Sequence, residues 1–301
     1  MPDLNDDEAK SQLIHLLKEQ KGILMVGAGS SKIVGFPLWP ELINELNKLI
    51  PSIQNTNNLD LIDYADLIKS ELIKEGRVDV YYKQLDNIFS PKKPNNHDNV
   101  HCKLVKLGFS GIITTNYDRV LETAIQKSFN IDHCESIDLC EDRTYRIFDF
   151  LRFLSSNTAH CFVLHLHGIY DKPKKLILNK TDYLKAYGKK DKSIILDTLH
   201  RKVIWALLAM HSLVFVGFSM TDPFFLSMLE IVQKDFALDD DPVHFAIMGY
   251  EFDIDREYIF NNLKKKGVMP VFYKIFPTPT GGKDHSGLKN LIYELANILG
   301  I

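Results

Sequence analysis

Hydrophobic and polar positions follow two periods along the 301-residue chain. Residues 8–18 set Leu13, Ile14, Leu16 and Leu17 on one side of a helix. Short runs that are apolar nearly throughout then recur: GILMV at 22–26, GII at 111–113, CFVLHL at 161–166, SLVFVGF at 212–218, VHFAIMG at 243–249 and VMPVFYKIF at 268–276. Runs of this kind suit strands buried on both faces of a parallel sheet. Helical spacing fills the intervals and predicts helices from Trp39 on, over 59–74, 78–89, 117–129, 194–210, 254–266 and 288–299. Residues 174–188 predict a short strand followed by a helix. The stretch 132–157 is rich in charge and carries no clear period.

Strands alternating with helices predict an α/β fold, a parallel Rossmann-like sheet with helices on both faces. The helical run over about 40–105 interrupts that alternation and reads as an inserted helical subdomain, placed to cover a ligand. Residues 1–301 are expected to form a single domain around one sheet.

Composition narrows the function classes. A hydrophobic content of 45% with 25% charged residues fits a soluble globular chain. A formal net charge of -3 gives no global basic field for nucleic acid. The clusters at Lys172, Lys174 and Lys175, at Lys189, Lys190 and Lys192, and at Lys264 to Lys266 read as solvated surface. Cys102, Cys134, Cys140 and Cys161 form no C-x-x-C pair, so no zinc is expected and free thiols in a cytoplasmic setting are. The acidic start MPDLNDDEAK does not read as a signal peptide, and no apolar run reaches the length of a membrane span.

The candidate chemistry sits where strands end. GAGSS follows the first strand, TTNYD follows GII, HG follows CFVLHL, and GFS follows SLVFV. In an open parallel sheet, ligands bind at the carboxyl ends of strands, so these sequences should meet at one edge. In GAGSS, glycines let backbone N–H groups approach a pyrophosphate; a tight strand-to-helix turn would use them equally well. Lys32 stands where a dinucleotide-binding dehydrogenase places its third glycine, and 42–54 reads as helix and loop instead of a second strand. Hydride transfer is therefore disfavoured.

In TTNYD one residue could cap the following helix, yet Thr114, Thr115, Asn116 and Asp118 are all polar. Strand alternation puts His165 and His167 on one face. His167, at the strand end, can reach a ligand as a proton acceptor, while His165 reads as a buried, hydrogen-bonded histidine. Asp222-Pro223 reads as an N-cap and first helical position.

In order and context, GAG-S, T-x-N-x-D, HG and G-x-S resemble the sirtuin superfamily, over about residues 22–248. That resemblance implies NAD binding and cleavage of its nicotinamide–ribose bond. It would place Gly27, Ala28, Gly29 and Ser30 at the phosphates, and Asn116 at the nicotinamide ribose, with Thr115 also in the NAD-contacting set. Asp118 would meet the carboxamide, His167 would be the base, and Gly217 and Ser219 would lie at the adenosine side. The departures matter too. Protein-deacylating members carry D-F-R after the first loop, a four-cysteine zinc module and a peptide-receiving stretch after HG. Here those places hold Gly35-Phe36-Pro37-Leu38-Trp39, scattered cysteines and IYDKPKKLILNKTDYLKAYG.

TTNYD, the K-x-L-I-L-x-x-x-D-Y stretch and G-F-S-x-x-D-P are closer to the sirtuin-like effector domains of bacterial antiphage defence, which degrade NAD with water as acceptor. NAD is then the substrate, consumed in abortive infection. A protein deacylase, and a non-catalytic module sensing NAD or ADP-ribose, remain the alternatives. A toxic hydrolase must be held silent, which implies a homo-oligomer or a partner such as a HerA-like ATPase or a short Argonaute complex.

Overall fold

The computed structural model describes residues 6–54, 59–91, 97–141, 144–154, 162–188, 196–236, 242–278 and 282–301. Cys161, Lys189, Lys190 and Lys192 lie outside them. The chain runs α1 (Asp6–Lys18), β1 (Gly22–Val26), α2 (Ala28–Ser31), α3 (Trp39–Asn47), α4 (Leu61–Lys74), α5 (Val78–Phe89), α6 (Asn99–Leu104) and β2 (Gly111–Thr114). It continues through α7 (Val120–Phe129), β3 (Glu135–Asp138), α8 (Thr144–Phe153), β4 (Phe162–His165), α9 (Lys180–Tyr187), α10 (Leu199–Met210) and β5 (Ser212–Val216). It closes with α11 (Pro223–Asp235), β6 (His244–Tyr250), α12 (Asp253–Lys264), β7 (Val268–Lys274), the short β8 (Phe276–Pro277) and β9 (Lys283–Asp284), and α13 (Ser286–Ile298).

The seven strands β3-β4-β2-β1-β5-β6-β7 pair in parallel. The first strand lies at the centre, and the chain builds outward on both sides of it. Side chains alternate across this sheet. Met25, Ile113, Leu164 and Phe215 pack on one face with α8 to α11. Leu24, Ile112, Val163 and Val214 pack on the other with α1, α6, α7 and α13. This is the parallel α/β architecture that the apolar runs predicted.

The helices between β1 and β2 have a core of their own, built on Leu42, Leu46, Tyr64, Ile68, Tyr81 and Leu85. It also takes in Tyr117 and Val120 after β2, and Leu176 and Leu178 before α9. The insertion is thereby packed against segments that leave the sheet's carboxyl edge.

Several local expectations differ from what forms; among them, the helix expected from residue 194 begins at Leu199, capped by Thr198. The strand expected near 174 does not join a sheet. Pro173–Lys175 make a 3-10 turn, after which Leu176 and Leu178 face the insertion core while Ile177 faces the sheet core. The alternation is genuine, but it bridges two cores. The unreadable stretch 132–157 holds β3 and α8, and β3 is half polar because it is an edge strand. The helix expected from Tyr117 begins at Val120, since the polar residues before it form a turn.

His244, buried at the start of β6, accepts a hydrogen bond at Nδ1 from the Leu213 N–H, 3.2 Å away. Burial pushes its pKa from 6.5 down to about 4. The unfolded chain therefore takes up this proton first as the pH falls from 6.5 towards 4, and stability is lost over that window. The urea midpoint should be lower at pH 5 than at pH 7, and His244→Gln, which keeps a side-chain acceptor, should narrow the gap. An unchanged gap in the variant would contradict the assignment.

Candidate active site

β4, β2, β1 and β5 are neighbours, so HG, TTNYD, GAGSS and GFS leave the same edge side by side. GAGSS and GFS, the loops after β1 and β5, touch backbone to backbone. The Gly27 N–H donates to Val216 O at 3.0 Å, and the Gly29 N–H to Gly217 O at 2.9 Å. A Cβ on Gly27 would lie 2.6 Å from Gly217 O, and one on Gly217 only 2.4 Å from Ser30 N. Gly217 also has φ +63°, the left-handed region. Close packing of two strand ends thus explains these glycines without a ligand. The amides of Gly27, Gly29 and Ser30 all donate to backbone carbonyls in this arrangement. Ala28 is half-buried beside them.

Asn116 joins this pair of loops to β2. Its Nδ2 donates to Gly27 O at 3.1 Å and to Ser31 Oγ at 2.9 Å. A carbonyl partner admits only a donor, which fixes the amide orientation. Its own N–H donates to Thr114 Oγ1 at 2.9 Å, and the Thr114 hydroxyl donates to Val26 O at 2.8 Å. Thr115 is half-buried and donates its N–H to Val26 O at 3.3 Å. From the far side, His101 Nε2 donates to Ser30 O at 3.0 Å.

Asp118 is buried and accepts from the Val120 N–H at 3.0 Å. Burial raises its carboxyl pKa to about 6, against the pull of the Val120 amide and Ser31. The N-cap of α7 is Arg119, which makes no side-chain cap hydrogen bond, so Asp118 holds the first helical amide from one residue outside the cap that a TTNYD residue was expected to fill. Ser219 is exposed at the rim, 2.6 Å from Thr221 Oγ1.

His167 lies one strand beyond Asn116, and its ring is only 3% exposed. Nε2 forms a 2.7 Å hydrogen bond with the Tyr187 hydroxyl, and the ring meets Tyr183 and Tyr187 edge-on. Burial drives the imidazole pKa down to about 3, so it is neutral at physiological pH. The cover is α9. On its inner side are the two tyrosines; on its outer side Asp182 pairs with Lys69 at 3.3 Å and Lys180 with Asp63 at 2.6 Å, both partners on α4. The Tyr183 hydroxyl also donates to Asp222 Oδ2 at 3.1 Å. Asp222 itself caps α11 by accepting from the Phe224 and Phe225 amides, the structural role its Asp-Pro context suggested.

The sequence reading gave neither tyrosine a role, although Tyr183 closes the K-x-L-I-L-x-x-x-D-Y stretch. Their signal was the DYLKAY spacing, which puts Tyr183 and Tyr187 on one helical face. Among the described residues no group of three or more His, Cys, Asp or Glu side chains is placed to hold a metal ion. No described helix is long and apolar enough to cross a membrane. A surface cavity of about 390 Å³ near Asp6, Tyr273 and Glu294 contains none of the site residues.

The model of the SIR2-like domain family matches residues 110–271. Defense-associated sirtuin 2 of Bacillus subtilis is 24% identical over 243 residues, 78% of this chain and 21% of its own length. NAD(+) hydrolase ThsA of Bacillus cereus (strain MSX-D12) is 28% identical over 205 residues, 68% of this chain and 38% of its own. NAD(+) hydrolase ThsA of Acinetobacter baumannii (strain 532279) is 23% identical over 266 residues, 86% and 49% respectively. The chain therefore spans between about a fifth and a half of these relatives.

The contact between the two glycine loops can be tested by one methyl group. Gly217→Ala should destabilise by about 2 kcal/mol or more, from the left-handed strain and the clash together. Gly35→Ala is the control: φ is +93° there, but nothing lies within 4 Å of an added Cβ. Its loss should stay near 1 kcal/mol. Equal losses in urea unfolding would mean that the loops are not packed this closely.

Proposed function

The chain belongs to the SIR2-like domain family, and on that premise we propose that it is an NAD glycohydrolase that depletes NAD as an antiphage effector. The observation that carries this reading is the convergence of Asn116 and His167 on adjacent strand ends, with Asn116 bonded to the GAGSS loop. The names of the relatives, two of them NAD(+) hydrolases and one a defense-associated sirtuin, support the same reading.

In the proposed reaction the bond between the nicotinamide nitrogen and the ribose breaks. Its electron pair leaves with nicotinamide, and an oxocarbenium-like ribose remains. Water adds to that carbon, and His167 takes the water's proton, giving ADP-ribose. Asn116 orients the ribose hydroxyls or the water; Gly27, Ala28, Gly29, Ser30, Thr115, Asp118, Gly217 and Ser219 are the proposed NAD contacts. Positioning and electrostatics supply the rate.

The arrangement described above is a closed one. A histidine with a pKa of about 3 is a weak base, and Tyr187 occupies its Nε2. NAD cleavage therefore requires α9 to withdraw, which lets solvent restore the imidazole towards its ordinary 6.5. The ion pairs between α9 and α4 hold the resting form silent, and a cytoplasmic partner or self-assembly would release it. The sequence pattern suggested the insertion as the cover; in this reading the insertion acts through α9.

Purified protein incubated with NAD should release nicotinamide. His167→Ala and Asn116→Ala should each lower the rate by at least about a hundredfold. The rate should fall as pH drops through the base's pKa, with the acid limb near the ordinary histidine value instead of about 3. An acyl-lysine peptide should leave the rate unchanged; a peptide-dependent reaction would mean a deacylase. NAD that stays intact in every assembly state would refute the hydrolase.

The clamp gives a separate test. Asp182→Ala should raise turnover by the isolated chain about fivefold, the population shift that about 1 kcal/mol produces. An unchanged or lower rate would remove α9 from the account.

A further inference from the structure

His165 is fully buried two residues before His167, and the proposed reaction makes no use of it. Its Nδ1 lies 2.9 Å from Asn116 O, and its Nε2 lies 2.7 Å from Glu122 Oε1. A main-chain carbonyl can only accept, so Nδ1 carries a proton. Ser136 Oγ donates to the same Glu122 oxygen. Three elements thus form one chain that ends on the Asn116 carbonyl: β3 supplies Ser136, α7 supplies Glu122 and β4 supplies His165.

Burial pulls the His165 pKa down, but the charge and hydrogen bond of Glu122 and the Asn116 carbonyl more than offset it, and the net shift is upward. Burial likewise pushes Glu122 up, and His165 and Ser136 reverse it. Both shifts favour the charged forms, an imidazolium facing a carboxylate. Buried ion pairs add little stability compared with well-packed apolar residues of the same volume. Their value here is geometric. With His165 in place Asn116 is held at its N–H by Thr114, at its side chain by Gly27 and Ser31, and at its C=O by the imidazole.

We propose that His165, held by Glu122 and Ser136, is a positioning residue for NAD cleavage, fixing the main chain of Asn116 so that its amide stays set across Gly27 and Ser31. This rests on the hydrolase reading, in which Asn116 meets the nicotinamide ribose. A misplacement of about 1 Å at such a residue is enough for about a hundredfold loss of rate.

Two amide substitutions separate the two ring nitrogens. In His165→Asn the side-chain amide can stand where Nδ1 donates, and pairing it with Glu122→Gln avoids an uncompensated carboxylate. In His165→Gln the amide reaches Glu122 and loses Asn116. NAD hydrolysis by each purified variant is measured as kcat and KM beside the thermal midpoint. The Asn/Gln double variant should keep kcat within about threefold of wild type. His165→Gln should lose about a hundredfold in kcat with little change in KM, whichever of the two is the more stable. Ser136→Ala, which loosens Glu122 alone, should lower kcat by a smaller factor at unchanged KM, and serves if His165→Gln does not fold. Undiminished kcat in His165→Gln, or in Ser136→Ala where that variant stands in, overturns the proposal, as do losses that merely track the thermal midpoint. Wild-type protein that releases no nicotinamide fails the hydrolase reading itself, a different result from active wild type with an indifferent His165.

Discussion

The site depends on a contact that leaves no room for a side chain. Gly27 and Gly29 lie against Gly217 so closely that a Cβ on any of them would overlap backbone atoms of the other loop. That contact draws the ends of β1 and β5 together and turns the chain into α2 at once. Gly27 O and Ser31 Oγ then stand where Asn116 can reach both. Thr114 and His165 hold Asn116 from the β2 and β4 sides. The polar edge is therefore one connected hydrogen-bonded unit spanning the four central strands, and its geometry follows from backbone packing.

A second constraint is set by burial. The two histidines of β4's end, two residues apart, have opposite surroundings. His165 has a carboxylate and a carbonyl and is shifted upward; His167 has tyrosine rings and one hydroxyl and is shifted down to about 3. The surroundings of the first favour its charged form, while those of the second keep it neutral beneath α9. In the proposed reading regulation and chemistry would share the same helix, because Tyr183 and Tyr187 face His167 while Lys180 and Asp182 face α4.

Much of this was legible in the sequence. LVFVGF and GILMV are apolar throughout because both faces of the sheet are covered, so the parallel α/β class could be read directly. The polar strand ends were expected to meet at one edge, and TTNYD and HLHG do leave neighbouring strands there. The rest depended on tertiary context. LIL near 177 alternates like a strand, but its two faces enter different cores. β3 was hidden because an edge strand needs only half an apolar pattern. The pairing of His165 with Glu122 joins residues 43 apart, and no local spacing announces it. The glycines were visible, but their close approach to each other was not, since phosphate loops and packed strand ends call for the same residue.

The proposed chemistry is NAD cleavage at the edge bearing Asn116 and His167 once α9 withdraws. The most direct measurement is a structure of the His167→Ala variant with intact NAD bound. The nicotinamide ribose should lie within hydrogen-bonding distance of Asn116, with α9 displaced from its position over residue 167. NAD bound elsewhere, or bound at this edge with Tyr187 still in place, would contradict it.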